Sequence, residues 1–127
     1  RALLAAMAEE GPPWPVSQLA QQAGISALQY APDWPFRVRQ QLEEERRYLS
    51  QELSRLRFHV YPSDSNFLLF QGEEGWRERL LDRGILIRSC ADFQGLGPGF
   101  YRVCVRSRGE NKRLIQAIQQ EREAFHG

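Results

Sequence analysis

The apolar residues of this chain change their period at Arg57. Before it they recur every three to four positions; after it they gather into short runs separated by turns. This switch restricts the chain to a helical front followed by a body of mixed α and β structure. The front is clearest between Val38 and Leu56. Val38, Leu42, Glu45, Leu49, Leu53 and Leu56 fall on one helical stripe, five of the six apolar. The other faces carry Glu43–Arg47 at i,i+4 and Glu52–Arg55 at i,i+3, the spacing of solvated ion pairs. So narrow a stripe suits a long helix lying across a surface. Ala31-Pro32-Asp33-Trp34-Pro35 starts that helix, with Asp33 as its N-cap.

Upstream, residues 2–9 predict a helix ending at Gly11, and Pro12-Pro13-Trp14-Pro15 breaks it. From Val16 a second apolar face (Val16, Leu19, Ala20, Ala23, Ala27) runs to about Tyr30, its small residues suited to close packing against another helix or a sheet. Downstream, Phe58-His59-Val60-Tyr61 is a first strand. Asn66-Phe67-Leu68-Leu69-Phe70 is a second, apolar throughout as in a central strand covered on both faces. A short helix from Trp76 to Arg83 buries Trp76, Leu80 and Leu81 and stops at Gly84. Ile85-Leu86-Ile87-Arg88 is a third strand and residues 100–106 a fourth. Ser107-Arg108-Gly109-Glu110 has capping-box spacing and opens a last helix with Leu114, Ile115, Ile118 and Phe125 inward. The order is two or three helices, then β-β-α-β-β-α with short connections. The expected fold class is therefore α+β: an antiparallel or mixed four-stranded sheet with helices packed on one face.

At 127 residues the chain is expected to form one domain. Hydrophobic residues make up 42% and charged residues 26%, a globular balance that argues against wholesale disorder. A net charge of +1 is too even to suggest a nucleic-acid partner. No apolar run approaches the ~18 residues of a membrane helix, and the first ten residues lack a signal peptide's cleavage site. Cys90 and Cys104 are too few for a disulfide scaffold or a self-contained zinc site; they read as buried thiols of a cytoplasmic protein. Of 17 basic residues only Lys112 is lysine, and the chain starts at Arg1, so a piece of something longer is expected.

Most catalytic signatures are missing: there is no P-loop, dinucleotide fingerprint, zinc-protease helix or nucleophile elbow. His59 and His126 read as surface or capping histidines. Gly95-Leu96-Gly97-Pro98-Gly99 is a turn whose amides could also cradle a phosphate. Arg88 and Arg102 ask for more explanation, because each interrupts an apolar strand. If those strands pair, two guanidinium forks could project together and clasp a carboxylate or phosphate. A half-solvated sheet face would accommodate them equally well, so the residues alone leave both readings open.

The wording of the sequence carries more. Residues 84–96, Gly-Ile-Leu-Ile-Arg-Ser-Cys-Ala-Asp-Phe-Gln-Gly-Leu, then Phe100-Tyr101-Arg102-Val103-Cys104-Val105-Arg106 and Glu110-Asn111, closely resemble the end of class I/II, fold-type I aminotransferases. Pro13-Trp14-Pro15-Val16-Ser17 resembles that family's Pro-Trp-x-Val segment, and Ser63-Asp64-Ser65-Asn66-Phe67 its Ser-x-x-Asn-Phe strand. The Arg-x-Cys-x-x-Phe-x-Gly-Leu pattern from Arg88 is similar to the threonine-phosphate decarboxylases of cobalamin synthesis, although Ser89 stands where they commonly have Asp. The histidinol-phosphate aminotransferases are close relatives, and a histidinol-phosphate or general amino acid aminotransferase is the alternative within the class.

The resemblance implies a pyridoxal-phosphate enzyme acting on an amino acid phosphate and working as a homodimer, of which this is the C-terminal part. Residues 1–33 would be helices left from the large-domain boundary, 34–57 the connecting helix and 58–127 the small domain. It implies that Arg102 binds the substrate carboxylate or phosphate and that Arg88 helps hold the phosphate. It assigns no catalytic, cofactor-binding or metal-binding residue to this stretch. The Schiff-base lysine would lie upstream of Arg1, in the missing large domain. Lys112, in the first turn of a charged helix, lacks the desolvation that prepares an amine for imine formation, so the fragment alone is expected to be inactive. A stand-alone α+β anion-binding or interaction module is the rival from another class.

Overall fold

The stripe that begins at Val38 sets the core. In the computed structural model, which describes residues 2–11 and 16–126 (of Ala5, Ala8, Phe125 and His126 the backbone only), it lies on a helix over Trp34–Arg55. The breaker run 12–15 and the expected inward side chain of Phe125 lie outside the described residues. The elements in order are α1 (Ala2–Glu10), α2 (Gln18–Tyr30), α3 (Trp34–Arg55), β1 (His59–Val60), β2 (Phe67–Gln71), α4 (Trp76–Asp82), β3 (Arg88–Ser89), β4 (Phe100–Cys104) and α5 (Arg108–His126). They divide into two units, residues 1–37 and 38–127, with the boundary inside α3.

In the first unit the Ser17 hydroxyl caps α2, accepting the Ala20 N–H at 3.2 Å. The Asp33 carbonyl accepts the Arg37 N–H, starting α3 where the sequence suggests. No side chain of α2 is buried: Leu19 is 82% exposed, and Leu28 is exposed too, as are Leu3 and Leu4 of α1.

The second unit holds a four-stranded sheet of order β1-β2-β4-β3, antiparallel at every pairing. Strand alternation sends Leu68 and Phe70 of β2 and Tyr101 and Val103 of β4 inward. There they join Leu49 and Leu53 of α3, Trp76 and Leu80 of α4, and Leu114, Ile115 and Ile118 of α5 in one buried cluster. Each such side chain contributes roughly 1.5–3 kcal/mol by leaving water. The α+β class and its element order are thus as the sequence indicates.

Four details differ. β2 is central but buried on one face only, since Phe67 and Leu69 stay half-exposed. The third strand is confined to Arg88–Ser89, because the Ile85 N–H turns back to the Leu80 carbonyl at 2.8 Å in closing α4. Leu81, expected inside, is 47% exposed. The fourth strand stops at Cys104 rather than 106. The Val105 N–H still reaches the Asn66 carbonyl (2.8 Å), but the Asn111 side chain takes the backbone of Arg106.

Two helix ends show one motif with different residues. After α4 the Ile85 and Gly84 N–H groups bond the Leu80 and Leu81 carbonyls, with Gly84 at φ 72°. After α3 the Phe58 and Arg57 N–H groups bond those of Leu53 and Ser54, with Arg57 at φ 61°. Gly84 suits the left-handed turn; Arg57 adopts it at a steric cost. At α5 the capping box forms in altered form. The Glu110 carboxylate accepts both the Ser107 hydroxyl (2.6 Å) and the Ser107 N–H (3.3 Å). That hydroxyl, followed by Arg106, holds the Glu110 carboxyl below the ordinary carboxylate range.

Candidate anion-binding site

β3 and β4 pair so that Arg88 stands directly opposite Arg102. Opposed residues of an antiparallel pair point to the same face, here the one turned away from the core. The Cys90 N–H bonds the Phe100 carbonyl at 2.8 Å, and the Arg88–Arg102 pair lies two residues further along the same ladder. Opposed like charges destabilise a sheet by roughly 0.2–1 kcal/mol unless an anion intervenes.

The two arginines differ in how they are neutralised. Arg88 reaches back to Asp92, Nη2 to Oδ2 at 2.5 Å, and its guanidinium sits 5.6 Å from the Phe93 ring centre. Both partners of that ion pair are at least half exposed, so solvent screens it. Arg102 is half-buried and lies over the Phe67 ring at 4.8 Å. Among the described residues it has no carboxylate within ion-pair distance. The aromatic ring holds its guanidinium plane and leaves the polar edge open.

Both residues line one cleft of about 520 Å³ at the β3 edge of the sheet. Arg77, Arg106 and Arg113 line it as well, against a single carboxylate, Glu110, already engaged by Arg106 at 2.6 Å. Residues of four elements thus line the cleft, whose wall also includes the apolar Ile87, Val103 and Leu114, and two of its arginines, Arg77 and Arg88, hold Glu78 and Asp92. Cys90, two residues after Arg88, is 2% exposed; burial pushes its thiol pKa up, and the charges of Arg102 and Arg88 pull the other way.

The remaining candidates fall elsewhere. Cys104, expected to be buried, is exposed because it is an outward residue of β4, and both thiols are free. His59 is exposed on β1, with β2 and β4 between it and β3. The glycine loop is a turn whose Gly99 sits at φ 87° against Gly72; a Cβ there would come within 2.6 Å of the Gly72 carbonyl oxygen. Lys112 is exposed on α5. The described residues hold no cluster of metal-ligating side chains, and no helix among them is long and apolar enough to cross a membrane. Asp92 and Phe67 were not singled out from the sequence. Asp92 lies four residues after Arg88 and was a visible partner; Phe67 meets Arg102 only through the β2–β4 register.

Comparison with known proteins is decisive at the level of family. The family model for aminotransferase class I and II matches residues 1–118. The chain belongs to that family. This aminotransferase-family chain is 39% identical over 122 residues to the threonine-phosphate decarboxylase of Salmonella typhimurium, covering 93% of this chain and 33% of that enzyme. It is 39% identical over 88 residues to the histidinol-phosphate aminotransferase of Methanoculleus marisnigri, covering 65% of this chain and 25% of that protein. The crystal structure of the histidinol-phosphate aminotransferase from Clostridium acetobutylicum shares the fold, with a TM-score of 0.78 at 24% identity, over 94% of this chain and 37% of that one. The aminotransferase-family chain thus spans about a third of these relatives.

Proposed function

We propose that this chain is the substrate-gripping small domain of a pyridoxal-phosphate enzyme that acts on an amino acid phosphate, as threonine-phosphate decarboxylase does in cobalamin synthesis. The observation that carries the reading is the register that sets Arg88 opposite Arg102 on the open face of the sheet. Two adjacent guanidinium groups match the carboxylate and phosphate of such a substrate, and a bound dianion would relieve their mutual repulsion. Arg102, with no carboxylate partner among the described residues, takes one anionic group; Arg88 exchanges its screened contact with Asp92 for the other. Fixing both ends of a small molecule orients the bonds between them, which lowers the barrier to any reaction there.

The described residues do not fit the cofactor itself. Lys112, the sole lysine, is exposed near the start of α5 and does not line the cleft that holds Arg88 and Arg102. The cofactor is accordingly assigned to the part of the parent protein outside this chain, and the parent to a homodimer.

The test uses the full-length parent. Arg102→Ala removes a charge-assisted fork of about 1.5–3 kcal/mol, so KM for O-phosphothreonine should rise roughly 10–100-fold while the cofactor absorbance stays unchanged. An unaltered KM removes the assignment. The likeness to the Methanoculleus enzyme supports a second reading, transamination of histidinol phosphate. Carbon dioxide released from O-phosphothreonine marks the decarboxylase; a carbonyl product from histidinol phosphate marks the transaminase.

A further inference from the structure

Glu45 is the one acidic residue in the apolar stripe of α3, and it is 8% exposed. Buried carboxylates require partners, and this one has two from the far end of the chain. Arg108 Nε donates to both of its oxygens at 2.9 and 3.0 Å, and Asn111 Nδ2 donates to Oε2 at 2.9 Å. Asn111, 2% exposed, also acts on the backbone. Its Oδ1 accepts the Arg106 N–H at 3.1 Å, and its Nδ2 donates to the Arg106 carbonyl at 2.8 Å. One side-chain amide thereby offers Arg106 the donor and acceptor that another strand would present. The ladder is prolonged past Cys104 without a neighbouring chain.

Both side-chain amide hydrogens of Asn111 are thereby used, one on Glu45 of α3 and one on the Arg106 carbonyl beyond β4. The clamped backbone is the continuation of the strand that carries Arg102, four residues earlier, and Arg106 lines the same cleft. We propose that Asn111, oriented by Glu45, is a positioning residue for the anion site: it fixes the exit of β4 and so the placement of Arg102 and Arg106 along the cleft wall. The inference rests on the reading of Arg102 as a substrate ligand.

The experiment compares three variants of the full-length parent with O-phosphothreonine as probe. Asn111→Leu removes the clamp and takes from the Glu45 carboxylate one of its two partners, leaving Arg108. Glu45→Leu with Asn111→Leu removes the clamp but replaces both buried partners by apolar groups, which restores much of the stability lost in the single variant. Arg102→Ala reports on the site itself. Displacing a substrate-holding group by a fraction of an ångström to an ångström costs on the order of tenfold in binding, so KM in the paired variant should be raised about tenfold, with kcat within twofold and the cofactor spectrum unchanged. Recovery of wild-type KM together with thermal stability in the paired variant would show a purely structural clamp and overturn the inference. If Arg102→Ala raises KM and the paired variant does not, only the positioning role falls. If Arg102→Ala leaves KM unchanged, the reading of the site falls with it.

Discussion

The two faces of β2 and β4 are built from alternate residues of the same ten positions and have opposite characters. Inward, Leu68, Phe70, Tyr101 and Val103 are buried among three helices. Outward, Phe67, Leu69 and Arg102 remain half open, Cys104 is exposed, and Arg88 joins them from β3. The inward face has exchanged water for close packing and cannot move without a large cost. The outward face keeps its cations where a ligand can reach them. A sheet can thus hold a binding surface rigid from behind, with stability and recognition assigned to alternate residues of one strand.

The sharpest way to break this contrast is to cut the inward face. Phe70→Ala should destabilise the chain by about 3–5 kcal/mol in urea unfolding, because Phe70 is fully buried and edge-on to Phe58. Tyr101→Phe should cost about 1–2 kcal/mol. Its hydroxyl donates to the Glu73 carbonyl and accepts the Trp76 N–H, holding the loop that leads into α4. Arg102→Ala, on the opposite face of the same strand, should change unfolding stability by no more than about 0.5 kcal/mol, even where the proposed function has it weaken substrate binding. Equal losses for Tyr101→Phe and Arg102→Ala would erase the division between the faces.

The cysteines sharpen it chemically. A thiol reagent should modify Cys104 readily and Cys90 only on unfolding, read by mass spectrometry of the labelled peptides. Burial raises the Cys90 pKa, so the folded state holds that proton more tightly than the unfolded chain does. Its contribution to stability is therefore complete below the ordinary thiol pKa and declines as pH rises past it.

The sequence made the apolar runs of the strands legible, although it suggested a buried Cys104 where the structure exposes it; what it withheld was distance. Arg88 and Arg102 become neighbours only through a register that no local pattern encodes. Glu45 was conspicuous in its stripe, but Arg108 and Asn111 lie 63 and 66 residues away. Strands end short of their apolar runs where a non-strand group captures the backbone: the α4 terminus at Ile85, the Asn111 amide at Arg106. The end of α4 was marked by Gly84, whereas Arg57 fills the equivalent position after α3 with no glycine to announce it. Leu81 has the composition of a core residue and lies on the wrong side of its helix.

The bare apolar side chains of α1 and α2 have a practical consequence. Leu4, Leu19, Leu28 and Tyr30 are each at least two-thirds surrounded by solvent or close to it, and such surface lowers its free energy by adhering to whatever grease it meets. A polypeptide comprising residues 1–37 would be a poor solute: its sedimentation should drift with dilution, and mild detergent should disperse it.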